Sequence, residues 1–156
     1  MRVSALIALI GAPLLLGGCK VSPPNRVEQR VVVAAEHEIT VGNRSQKNPL
    51  PANAATLAAG KEAFGHYCVA CHGLDGAATG VPFASRMSPP IPALSSPQVQ
   101  SYSDGQLKWV IDNGLAPSGM PASQGTLSDE EILSIVSFLR HLPPAGSLGE
   151  PEIYSH

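Results

Sequence analysis

The sequence predicts an all-α domain of three main helices joined by long loops. Three observations carry this. Apolar residues recur at three- and four-residue spacing in three stretches, each preceded by a helix-starting residue. No strand-like alternation of any strength lies between them. A Gly- and Pro-rich segment, residues 73–97, separates the first two stretches, and loops of that length usually wrap something functional.

The first helix is Ala54 to Tyr67, with Leu57, Lys61 and Phe64 on one side and Asn53 as N-cap. The second opens on Ser103-Asp104-Gly105-Gln106, a capping box in which Ser and Gln satisfy each other's backbone N–H groups. It carries Leu107, Trp109, Val110 and Ile111, and Gly114 closes it. The third opens on a second capping box, Ser128-Asp129-Glu130-Glu131, and carries Ile132, Leu133, Ile135, Val136, Phe138 and Leu139. Arg140 and His141 face the negative end of its dipole, and Pro143 stops it. One compact domain is thus expected over residues 53–143.

The flanks read differently. Residues 1–18 have one charge, Arg2, and an apolar run from Val3 to Leu16, short of the roughly twenty residues that span a bilayer. That is the pattern of an export signal. Leu16-Gly17-Gly18-Cys19 resembles the bacterial lipobox. The resemblance implies cleavage before Cys19, lipid on its sulfur and a membrane anchor outside the cytoplasm. Residues 19–52 are then the lipidated cysteine and a flexible tether, punctuated by Pro23, Pro24, Pro49 and Pro51, in which Arg30 to Thr40 has the makings of a lone short strand. Residues 144–156 read as a loose C-terminal tail for the same Pro and Gly reasons.

Composition narrows the function. The formal net charge is −2 with no basic run, which argues against a nucleic-acid partner. Aromatics are few (Trp 1, Tyr 3, Phe 3), while Gly and Pro number 15 each. Such a chain has thin material for a core and would gain from a large apolar cofactor.

Residues 68–72 read Cys-Val-Ala-Cys-His. Two thiols one helical turn apart can bond one planar ligand at two points, with the next imidazole beneath its plane. This is the attachment logic of c-type haem, with thioethers from Cys68 and Cys71 and axial ligation by His72. With three cysteines and five histidines in the chain, a shuffled sequence would show the pattern roughly once in a thousand. It also accounts for an odd cysteine count, because Cys19 takes lipid. A thioredoxin-like redox pair would be expected beside a βαβ pattern, which is absent. A zinc site needs further ligands, and His37, His66, His141 and His156 show no ligand spacing.

An iron held by one histidine has a second face. Met87 and Met120 are the candidates there once Met1 leaves with the signal. Met120 lies in Ser118-Gly119-Met120-Pro121 and Met87 in a Pro-rich stretch.

The segments AAGKEAFGHYCVACHGLDG, MSPPIPAL, SDGQLKWVIDNGLAPSGMPA and LSDEEILSIVSFLRHL resemble a bacterial monohaem class I cytochrome c across residues 57–142. The resemblance implies that family's fold, with loops wrapped around one covalent haem c. It implies Met120 as axial ligand and Met87 as core or haem-edge cover. It implies a proline carbonyl, Pro90 in preference to Pro89, accepting from the other nitrogen of His72. It also implies a helix crossing through Gly60, Phe64 and Phe138, and Trp109 near a haem propionate. The early loop, Gly73 to Gly80, is looser than the family's usual Gly-x-Gly.

The function so implied is a membrane-tethered one-electron carrier rather than an enzyme. Phe83, Met87, Pro90, Met120 and Ala122 would rim its exposed haem edge, and its partners would be redox proteins such as a dehydrogenase or an oxidase. A fixed subunit of such a complex and a ligand-binding haem sensor are the alternatives.

Overall fold

The computed structural model describes Val27 and residues 44–155 of the 156-residue chain. The export signal and Cys19 lie outside the described residues, as does the segment from Arg30 to Thr40. Among the described residues the α-helices are α1 (Ala54–Tyr67), α2 (Val69–His72), α3 (Pro97–Gln100), α4 (Asp104–Asn113) and α5 (Asp129–Leu139). Two isolated bridges, Leu115 with Met120 and Gln124 with Leu127, are the β-type pairings among them. The all-α expectation therefore holds, with α2 and α3 as short additions to the three main helices.

Each main helix begins where a side chain takes up a free backbone N–H. The Asn53 Oδ1 accepts from the Thr56 amide at 3.0 Å. Both expected capping boxes form. The Ser103 Oγ accepts from Gln106 N and the Gln106 Oε1 from Ser103 N, and Ser128 and Glu131 repeat the exchange. Such caps contribute on the order of 1 kcal/mol each. In α3, Ser96 caps and Pro97 occupies the first turn, where its missing N–H costs nothing.

The core is the seam between α1 and α5, with Leu107 and Ile111 of α4 closing one side. Ile132, Ile135 and Val136 are essentially fully buried, at 0–1 % exposure. The seam is close because of Gly60. A Cβ there would stand 2.0 Å from the Ser134 carbonyl oxygen, so α1 can lie against the α5 backbone only without a side chain. One turn on, the rings of Phe64 and Phe138 pack at 5.4 Å and 55°, a tilted geometry that suits aromatic quadrupoles. The expected crossing through Gly60, Phe64 and Phe138 is present.

Arg140 does more than complement the α5 dipole. Its guanidinium donates to the Gln100 carbonyl at 3.0 Å and the Tyr102 carbonyl at 2.6 Å. It also donates to the Asp104 Oδ1, at 3.1 Å from Nε and 2.8 Å from Nη2. One planar fork thereby ties the end of α5 to the end of α3 and the start of α4.

Both flanks depart from the expectation of slack chain. Residues 44–52, assigned above to the tether, are anchored at several points. The Asn48 Nδ2 donates to the Leu133 carbonyl at 2.7 Å and to the Ser137 Oγ at 2.8 Å, and its amide donates to the Asp104 Oδ2 at 2.9 Å. The Gln46 carbonyl accepts from Gly105 N at 2.9 Å, and the Arg44 carbonyl accepts from the Ser103 Oγ. The C-terminal tail is also held: Pro151 is buried, Gly146 N donates to the Asp75 Oδ2 and the Tyr154 hydroxyl donates to the Ala70 carbonyl. Proline and glycine signalled only the absence of helix and strand. The anchors are individual polar side chains whose partners lie 56 to 89 residues away, and no local pattern encodes them.

Two predictions follow from this packing. Gly60→Ala gains about 1 kcal/mol of helix propensity but overpacks backbone against backbone, so thermal unfolding should show a net loss of about 2 kcal/mol or more. Burial by itself would raise the Asp104 carboxyl, but the Asn48 amide and Arg140, with Lys47 nearby, outweigh it and hold the group below its ordinary 3.8. A lowered folded value means that this stability is present above the ordinary carboxylate range and is lost as pH falls through and below it. Asp104→Asn should cost about 1–2 kcal/mol at neutral pH and flatten the acid limb of a stability–pH curve measured by urea unfolding.

Candidate functional site

α1 ends at Tyr67, and Cys68 makes the junction. Its amide donates to the Phe64 carbonyl at 2.9 Å, and its carbonyl accepts from Cys71 N at 3.1 Å and His72 N at 2.9 Å. Cys68, Cys71 and His72 are thus placed one turn apart, at i, i+3 and i+4, on one side of the backbone. Gly73 closes the turn at φ +69, and a Cβ there would come within 2.9 Å of Thr79 N. The chain then returns on itself, with Ala78 N donating to the His72 carbonyl at 2.7 Å.

The two thiols have different surroundings. Cys68 is half-buried against the core and Cys71 is exposed, and both are free. Burial, with the charge of Cys71 next to it, pushes the Cys68 thiol up to about 12. The His72 ring lies 6.5 Å from the Phe64 ring at 44°, and burial lowers its pKa, which keeps the imidazole neutral. Its Nδ1 is buried without a hydrogen-bond partner, a rare state for a polar atom in a folded protein. The expected acceptance of a proton by the Pro90 carbonyl, or by that of Pro89, is therefore not formed. Residues 88–90 are exposed.

Met120 is half-buried against the same core cluster as Cys68. Its loop is held by glycines. Gly114 ends α4 at φ +68, where a Cβ would stand 2.5 Å from the Met120 carbonyl oxygen. Leu115 N then donates to that oxygen at 3.0 Å. Gly119, at φ +77, supplies the left-handed residue before Met120. The methyl of Met87 lies 3.9 Å from where a Gly119 Cβ would be, so both methionine segments meet at one rim.

Trp109 is placed elsewhere. Its ring lies under the Arg44 guanidinium at 5.0 Å, in a groove of about 510 Å³ shared with Lys47, Asn48, Asp104 and Lys108. None of Cys68, Cys71, His72 or Met120 lines that groove. Of the other rim candidates, Phe83 is half-buried and packs edge-on against Tyr154 at 6.4 Å, while Pro90 and Ala122 are exposed.

A fit to haem c can be judged from these residues. The residues are a neutral imidazole and a methionine sulfur that would ligate iron, and two unpaired thiols, Cys68 against the apolar core and Cys71 exposed, that would bond the haem vinyl groups, and one imidazole nitrogen has no protein partner. This set suits a haem iron. Among the described residues no group of three or more His, Cys, Asp or Glu is placed to hold a metal ion, so a zinc site has no support there. No helix among them is long and apolar enough to cross a membrane.

Sequence reasoning missed Tyr154, which touches this turn from outside, and Asp75, which anchors the loop just after it. Asp75 is 1 % exposed, and its carboxylate accepts from Ala77 N at 2.9 Å and from the Thr79 Oγ1 at 2.6 Å. The Asp75-x-Ala77 turn is local and could have been read as an Asx turn. Tyr154 had no local signal.

Comparison with known proteins places this site in a wider setting. Residues 55–139 match the family described as "Cytochrome C oxidase, cbb3-type, subunit III". Among solved structures, a chain of the reducing HAO-like protein complex of Kuenenia stuttgartiensis is 24% identical, with a TM-score of 0.53 over 62% of this chain and 47% of that one. The present chain thus spans about half the length of that relative, and the likeness bears on the fold. Cytochrome CL of the marine methylotroph Methylophaga aminisulfidivorans is 20% identical over 80% of this chain and 71% of that one, with a TM-score of 0.43. No curated protein matches.

The glycines give a direct test of how the Met120 loop is held. Gly119→Ala meets nothing closer than 3.9 Å and should cost only the left-handed strain, about 1–2 kcal/mol. Gly114→Ala adds a backbone clash and should lower stability in thermal unfolding by clearly more, about 3 kcal/mol.

Proposed function

Because the chain belongs to the family described as cytochrome c oxidase, cbb3-type, subunit III, and is a class I c-type cytochrome that carries electrons on haem, we propose a specific form of that activity. The protein is an exported, membrane-tethered one-electron carrier. Its single haem c is held by thioethers from Cys68 and Cys71, with His72 and Met120 as axial ligands and Cys19 as the lipid anchor.

The observation that carries this reading is the turn at residues 68–72. It presents two free thiols and a neutral, half-buried imidazole together, with Met120 packed on the same core as Cys68. When bound, the haem supplies a one-electron iron couple. His72 needs no deprotonation to ligate, because burial already disfavours its charged form. Met120 covers the second face and keeps exogenous ligands away, which suits transfer and argues against sensing. Over residues 51–145 seven acidic side chains stand against four basic ones, so partners presenting a basic or apolar rim are favoured.

The family match favours one refinement, in which the same domain is a fixed subunit of a respiratory oxidase complex rather than a free shuttle. Co-purification with partner subunits after mild detergent extraction supports the fixed form, and release as a lone chain supports the shuttle.

Absorption spectra of oxidised and reduced protein, exported with a haem-attachment system, test the ligand assignment. The wild type should be low-spin with a sulfur-to-iron band, and Met120→Ala should lose that band and bind carbon monoxide rapidly when reduced. A wild type that is high-spin would overturn ligation by Met120, and a chain without covalent haem would overturn the reading as a whole.

A further inference from the structure

The C-terminal segment, residues 144–155, touches the Cys-x-x-Cys-His turn at Ala70 and the loop just after it at Asp75. Two residues before His72, the Ala70 carbonyl accepts from the Tyr154 hydroxyl at 2.7 Å. Three residues after it, Asp75 accepts from Gly146 N at 2.5 Å through the same carboxylate that takes Thr79 and Ala77. Between these points Pro151 is fully buried. The chain also passes so close to Gly80 that a Cβ there would meet the Glu150 Cα at 2.7 Å. A single 3₁₀ turn, Glu152–Tyr154, aims the Tyr154 side chain, and its ring is braced edge-on by Phe83 at 6.4 Å and 81°. This segment lies beyond residues 55–139, which match the family. The hold on the turn is therefore a feature of this chain's own tail.

We propose that residues 144–155 form a strap that sets the shape of the 68–72 turn, with Tyr154 as a positioning residue for His72 and Asp75 as the second anchor. The physical argument is one of leverage. Neither Val69 nor Ala70, between the two cysteines, has a cofactor bond to make; the Val69 carbonyl is taken by Gly73 N, and the Ala70 carbonyl is the point at which the tail holds the turn. A hydrogen bond there from a braced phenol fixes the peptide plane that leads into Cys71 and His72. The Asp75 anchor fixes the chain where it leaves Gly73. Held at both ends, the imidazole has one orientation about its own axis rather than several. The proposal rests on the reading of residues 68–72 as a haem site, because the orientation of His72 matters only if it is an axial ligand.

The test uses the full chain as wild type, Tyr154→Phe and Asn48→Ala. Tyr154→Phe keeps the ring against Phe83 and removes only the donor. Asn48→Ala removes hydrogen bonds to α5, is remote in sequence from the turn, and controls for general loss of stability. Two quantities are read: amide hydrogen exchange over residues 69–73, and the proton resonances of the haem methyl groups, which report the plane of the axial imidazole. Tyr154→Phe should speed exchange at the turn about fivefold, the loss expected for one hydrogen bond, and displace the methyl resonances. Asn48→Ala should do neither.

Unchanged exchange in Tyr154→Phe overturns the strap. Faster exchange with methyl resonances in place overturns the positioning role for His72. If the wild type carries no haem, the haem reading fails, while the exchange measurement still decides whether the strap holds the turn.

Discussion

Everything in this fold depends on how near α1 can come to α5. Gly60 removes the one atom that would hold them apart, since a Cβ there would stand 2.0 Å from a backbone oxygen. That approach brings Phe64 onto Phe138 and buries Ile132, Ile135 and Val136 almost completely. It also fixes the end of α1. Cys68 is hydrogen-bonded to Phe64, so the turn that follows inherits its position from the helix seam. The site is thus an extension of the core rather than an ornament on a loop, and a rigid seam is what a fixed ligand geometry requires.

The loops around the site are held by a different means. Their length leaves little chain for helix, and order comes from a few polar anchors and from glycines with left-handed backbone. Gly114 and Gly119 shape the approach to Met120, and Asp75 gathers three donors from the loop and the tail. Arg140 binds three segments with one side chain. Each such anchor supplies only about a kilocalorie or two. Together they limit how far a mostly irregular chain can wander.

The flanking segments extend this logic to both ends of the domain. Residues 44–50 lie along α4 and α5, and Asn48 serves as both donor and acceptor there. Residues 146–154 lie across the cysteine turn. The groove between Arg44, Trp109 and Lys108 is lined by none of Cys68, Cys71, His72 or Met120. Trp109, read from sequence as a neighbour of the cofactor, stacks with Arg44.

Much of the site was legible in the linear chain. Capping boxes, helical spacing and the Cys68-x-x-Cys71-His72 pattern are local signals, because the residues that satisfy one another lie within four positions. Gly60 could be placed at a crossing only through a resemblance, and the structure supplies the reason in the Ser134 carbonyl. The expected acceptor at Pro90 failed because carbonyl direction in a Pro-rich loop is set by how the whole loop packs, not by which residue is proline. By itself the sequence determined the three main helices, the cysteine–histidine turn and its chemistry, for all of these are encoded within a few residues. Only the tertiary structure decided the long-range contacts: Asn48 on α5, Trp109 under Arg44 and, at the turn itself, Tyr154 on Ala70. Those contacts join residues from 65 to 89 positions apart, and such pairings are chosen by packing, which no short stretch of chain records.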